Sequence, residues 1–96
     1  MSDAYHRLAL PARLDLPSAG PLATDLKAHV GKPLTLEATA CEAIGTPGLQ
    51  VLLSAAATWR KSGLPLSLEG LSKECAAQLA IFGLTPDDLC SKEPAL

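Results

Sequence analysis

The sequence predicts an α/β fold: a small, mixed, mostly parallel sheet of about four strands packed with three to four helices. Three observations predict it. Short strand-like runs at Tyr5 to Leu10, Leu34 to Ala38 and Leu64 to Glu69 are separated by longer stretches with helical apolar spacing. Glycine and proline punctuate the junctions. The strand–helix–strand order also occurs twice in succession, which implies parallel pairing with right-handed crossovers.

Each element has its own reason. Tyr5 to Leu10 reads as a first strand, ended or confined to an edge by Pro11. Ala12 to Leu16 fits either a short second strand or an extended turn. The first helix is expected after Pro17, with Ser18 as N-cap and Pro21 inside the first turn, where a missing N–H is harmless. Ala19, Leu22, Ala23, Leu26 and Val30 form its apolar face, and Gly31, Lys32 and Pro33 stop it. Leu34 to Ala38 is the next strand, and Thr39 to Gly45 reads as a connector.

The second helix is expected from Pro47 to Ser62, ended by Gly63. Leu49, Leu52, Leu53 and Ala56 follow the i, i+3, i+4, i+7 spacing of an amphipathic helix. Thr46 occupies the expected N-cap and Pro47 the first helical position. Leu64, Leu66 and Leu68 alternate with polar or proline positions, as in a strand with one buried face. Ser72 caps a third helix ended by Gly83, and Thr85 to Asp88 forms a further capped turn. Residues 1–90 are read as a single domain, with a frayed tail from Ser91 to Leu96.

The 96 residues suffice for one small domain, and the 48% of hydrophobic residues, mostly Leu and Ala, can fill its core. Net charge is −2, and the largest basic cluster is Arg60-Lys61. A nucleic-acid partner, which needs a basic face, is therefore not expected. The start MSDAYHRL lacks the pattern of a signal peptide. No apolar run approaches the roughly 18 residues that span a bilayer, so direct membrane insertion is not expected and the chain reads as cytoplasmic. Cys41, Cys75 and Cys90 are odd in number and far apart, and His6 and His29 are isolated. A disulfide framework, a metal site and a cofactor are not expected.

Candidate functional residues cluster around Thr46. From the residues alone, its hydroxyl sits where a helix N-cap belongs. Trp59 fits either the edge of the core or a partner contact. Glu37 and Glu42 are acids without a nucleophile or base to complete a catalytic pair, and Cys41 has no activating histidine nearby. No enzyme is expected.

The chain resembles the STAS domain family, which includes bacterial anti-sigma factor antagonists. Leu14-Asp15 resembles the family's approach to its first helix, and LTLEATACEAIG its central strand and connector. Thr46-Pro47-Gly48-Leu49 falls on the family's hydroxyl-small-Gly-Leu motif. WRKSGLPLSL, from Trp59 to Leu68, resembles the approach to the last strand, and Ser72 to Leu84 the closing helix. The likeness runs from about Arg7 to Leu89. The chain departs from the pattern at Gly45, where the family carries Asp, at Glu37 in place of a strand-end Asp, and at Pro47 in place of a small residue.

The resemblance implies a regulatory protein that acts in signal transduction by protein–protein binding. Its implied binding surface comprises Glu42, Ile44, Gly45, Thr46, Pro47, Gly48, Gln50 and Trp59. Thr46 matches the residue that a GHKL-type anti-sigma Ser/Thr kinase phosphorylates in the family. That kinase, or a chemotaxis-type sensory protein, is the implied partner. The alternative is a structural subunit that binds the ATPase of a phospholipid-trafficking ABC transporter, like the compact STAS component of the Mla system.

Overall fold

The computed structural model describes residues 6–91. Its strands are β1 (His6–Ala9), β2 (Arg13–Leu14), β3 (Leu34–Glu37), β4 (Ala43–Ile44) and β5 (Leu66–Glu69). Its helices are α1 (Leu16–Ala28), α2 (Thr46–Ser62) and α3 (Lys73–Ile81), followed by a 3-10 turn at Pro86–Leu89. Tyr5, expected to open the first strand, and residues 92–96 of the expected tail lie outside the described residues.

The main sheet is three-stranded and parallel, in the order β1-β3-β5, and β2 pairs with β4 in a second parallel ribbon. In register, Leu8, Leu36 and Leu68 lie side by side, as do His6, Leu34 and Leu66. These rows share the face turned to the helices, and Leu34, Leu36 and Leu66 are buried there with Leu22, Leu52 and Trp59. The opposite face carries Arg7, Glu37 and Glu69. Arg7 bridges the two acids at 2.5 and 2.6 Å, and these bonds hold its guanidinium above the ordinary arginine value.

Several boundaries differ from the sequence expectation. α1 begins at Leu16 with Asp15 as N-cap, not after Pro17. Ser18 sits at the third helical position, where its hydroxyl accepts the Asp15 N–H at 3.0 Å and donates to the Arg13 carbonyl at 2.7 Å. It caps from inside the helix rather than from before it. Pro21 consequently falls in the second turn, where it leaves the exposed Pro17 carbonyl without the usual i+4 N–H donor. Of the two readings of Ala12 to Leu16, a short strand or an extended turn, the short strand forms, as β2 at Arg13–Leu14. The connector after β3 contains β4, which pairs with β2.

Ser91 does not begin a frayed tail. It pairs antiparallel with Leu66, through bonds of 2.7 and 2.9 Å, and is buried against the outer edge of β5. Ser72 does cap α3, accepting the Cys75 N–H at 3.1 Å. Gly63 ends α2 with φ of 72°, a conformation in which other residues are strained.

Candidate functional site

The corner where α2 begins is built by the β2–β4 ribbon. Leu14 pairs with Ile44, and the Gly45 N–H extends that pairing by donating to the Leu14 carbonyl at 2.7 Å. Gly45 is therefore extended, with φ of −103° and ψ of 167°, and serves as the N-cap of α2. The Leu49 N–H to Gly45 carbonyl bond, 2.9 Å, is the first of the helix. Thr46 is the first helical residue and Pro47 the second, one position later than the sequence expectation. The ribbon claims Gly45 for strand-like geometry, and this moves the cap onto a residue without a side chain.

Thr46 is exposed, and its hydroxyl makes no hydrogen bond among the described residues. The Thr46 and Gly48 N–H groups lie in the first turn, where α-helical donors lack intrahelical acceptors, and Pro47 contributes none. The helix dipole adds partial positive charge there. Chemically the corner offers a free hydroxyl and backbone donors to an acceptor or an anion.

Gly48 lets this corner form. A Cβ at Gly48 would lie 2.5 Å from Leu14 Cβ and 2.7 Å from the Leu14 carbonyl oxygen. Any larger residue would force α2 away from β2.

The other site residues divide by exposure. Glu42 and Gln50 are exposed, and Pro47 is half-buried. Ile44 is buried, and its N–H donates to Gln78 Oε1 at 2.7 Å, so α3 holds the ribbon from behind. Gln78 has no counterpart among the sequence-derived candidates, since nothing in its local pattern distinguishes it from a surface glutamine. Trp59 lies in the core with 2% of its surface exposed, and its indole N–H donates to the Lys32 carbonyl at 2.7 Å. Its side chain has almost no surface to offer a partner, which corrects its place among the contact residues.

A groove of about 440 Å³ runs between α1 and α2, beginning beside Pro47 and Gln50. Ala19, Ala23 and Val30 line one wall, Val51 and Ala55 the other, and Lys27 is the single charged residue lining it among the described residues. Glu37 shares Arg7 with Glu69 on the far face of the sheet, so it forms a charge bridge and not a pair with Glu42. Among the described residues no group of three or more His, Cys, Asp or Glu is arranged to hold a metal ion. No described helix is long and apolar enough to cross a membrane.

A parallel sheet covered by helices on one face, with an open polar helix start at its corner, defines a small α/β module. The chain belongs to the STAS domain family: the family model described as "Mlab, STAS domain" matches residues 1–89. STAS domains typically bind proteins and are generally regulatory. No curated protein matches the chain.

Proposed function

We propose that the protein acts by binding a partner protein through the α2 corner, with Glu42, Thr46, Pro47 and Gln50 as side-chain contacts and Gly45 and Gly48 shaping the backbone. The observation that carries this reading is the exposed Thr46 hydroxyl, which has no hydrogen-bond partner among the described residues, at a helix start with free N–H donors. On this reading the partner is the cytoplasmic ATPase of a phospholipid-trafficking ABC transporter, and the chain is its structural subunit. The "Mlab" description of the matching family supports that partner. Gly45, where a phosphorylated STAS protein would carry Asp, supports a contact made without modification.

Co-expression with such an ATPase tests the reading. Tagged wild-type protein should retain the ATPase through purification, and Gln50→Arg and Thr46→Glu should lose it while staying folded. Wild-type protein that retains no ATPase would overturn the assignment.

A second reading makes the same corner a phosphorylation switch, driven by an anti-sigma Ser/Thr kinase or a sensory-pathway kinase. The favourable observation is again the free hydroxyl at a helix start, where the first-turn N–H groups and dipole stabilise a phosphate. A phosphate places about −2 of charge where a partner must dock, and each 1.4 kcal/mol left uncompensated weakens binding about tenfold. Equal kinase binding by wild type and Thr46→Glu would sink the switch.

A further inference from the structure

The fold brings two of the three cysteines together in the core. Cys41 follows β3, its N–H fixed to the Ala38 carbonyl at 3.0 Å. Cys75 is the third residue of α3, its N–H fixed by the Ser72 cap at 3.1 Å. They are 34 positions apart in sequence, yet their sulfurs lie 4.0 Å apart, and the Cys75 thiol donates to the Cys41 carbonyl at 3.3 Å. Both residues are buried, and neither is disulfide-bonded. A disulfide needs about 2.05 Å between sulfurs, so closing the gap takes a movement of about 2 Å.

We propose that Cys41 and Cys75 form a redox modification site that closes to an intramolecular disulfide on exposure to a hydroperoxide. In the first step one sulfur attacks the peroxide. The O–O bond breaks, one water leaves, and that sulfur becomes a sulfenic acid. The second sulfur then displaces the sulfenic oxygen as a second water, and the S–S bond forms. Two thiols lose two electrons and two protons, and one hydrogen peroxide becomes two waters.

The bond ties α3 covalently to the segment that enters β4. Gln78 already links the same two elements through Ile44 at 2.7 Å. Oxidation therefore stiffens the support behind Thr46 without placing a new group on the surface. Burial and the neighbouring thiol push Cys41 up to about 11, so closure is slow at neutral pH and proceeds through local opening.

The test uses the purified, reduced full chain and its Cys90→Ser variant, treated with hydrogen peroxide. Both should lose about 2 Da and yield a non-reduced peptide pair joining Cys41 to Cys75. Their melting temperature should rise by roughly 5–10 °C and return to its starting value with dithiothreitol. Cys41→Ser and Cys75→Ser should show neither change. A link that maps to Cys90, a disulfide between two chains, or cysteine oxidised only to sulfinic acid in the folded protein would overturn the proposal.

Discussion

Replacing Gly48 by alanine tests the geometry of the α2 corner, because two physical effects predict opposite signs. Alanine is the better helix former, by up to about 1 kcal/mol in a helix interior. Considered alone, propensity predicts a stabilised protein. The structure predicts the reverse. The added methyl would lie 2.5 Å from Leu14 Cβ, 2.7 Å from its carbonyl oxygen and 2.8 Å from its carbonyl carbon. Two of these atoms are backbone and cannot rotate away. The same carbonyl accepts the Gly45 N–H at 2.7 Å, and Leu14 is fully buried. Overpacking of this kind costs about 1–3 kcal/mol, and it outweighs the propensity gain, which is small in a first turn. At about 4–8 °C per kcal/mol for a domain of this size, the melting temperature should fall by roughly 10 °C. Urea unfolding followed by circular dichroism reads the change directly, as a lower midpoint with an unchanged slope. A Gly48→Ala protein as stable as wild type, or more so, would refute the close approach of α2 to β2.

Other substitutions separate packing from binding. Trp59→Ala should cost about 3–5 kcal/mol, so any binding defect it shows reports unfolding rather than a lost contact. Trp59→Phe leaves the Lys32 carbonyl without its indole donor and should cost about 1–2 kcal/mol in chemical denaturation. Thr46→Ala should change stability by less than about 0.5 kcal/mol, because the hydroxyl is unbonded and Gly45 is the cap; a loss near 1 kcal/mol would show that Thr46 caps after all. Thr46→Glu should add about 0.3–1 kcal/mol at low salt, through the helix dipole. The raised Cys41 value makes reduced protein less stable in alkali. The folded state holds the thiol proton more tightly, so this stability is complete below pH 9 and is lost between pH 9 and about 11. Glu42 and the Cys75 thiol both reinforce that direction. The loss is at most about 2–3 kcal/mol and should shrink in Cys41→Ser, as measured by urea midpoints across the range.

The fold was legible where periodicity and punctuation agree. β3, α2 and α3 follow their apolar spacing, and Gly63 and Ser72 mark ends that the structure keeps. The misses have a common cause in non-local pairing. β4 is two residues long, too short for any period, and exists because Leu14 pairs with Ile44 across the chain. The same pairing takes Gly45 into extended geometry and displaces Thr46 from the cap. At α1, Pro17-Ser18 reads locally as an N-terminus, but Asp15 and the inward-turned Ser18 hydroxyl set the start earlier. Ser91 is held by Leu66, a partner that no tail composition announces. In the site, exposure separates Glu42, Thr46 and Gln50 from the buried Ile44 and Trp59. The Cys41–Cys75 contact spans 34 positions, with no motif connecting them.

The most direct test of the account maps the binding surface itself. Amide resonances of the isotopically labelled protein would be followed as the proposed partner, a transporter ATPase, is added. The account predicts that shifts and broadening centre on Glu42, Gly45, Thr46, Gly48 and Gln50, with Arg7, Glu37 and Glu69 on the far sheet face unaffected. Perturbations centred on that far face, or on the exposed Ile81 and Phe82 at the end of α3, with the α2 corner silent, would contradict it.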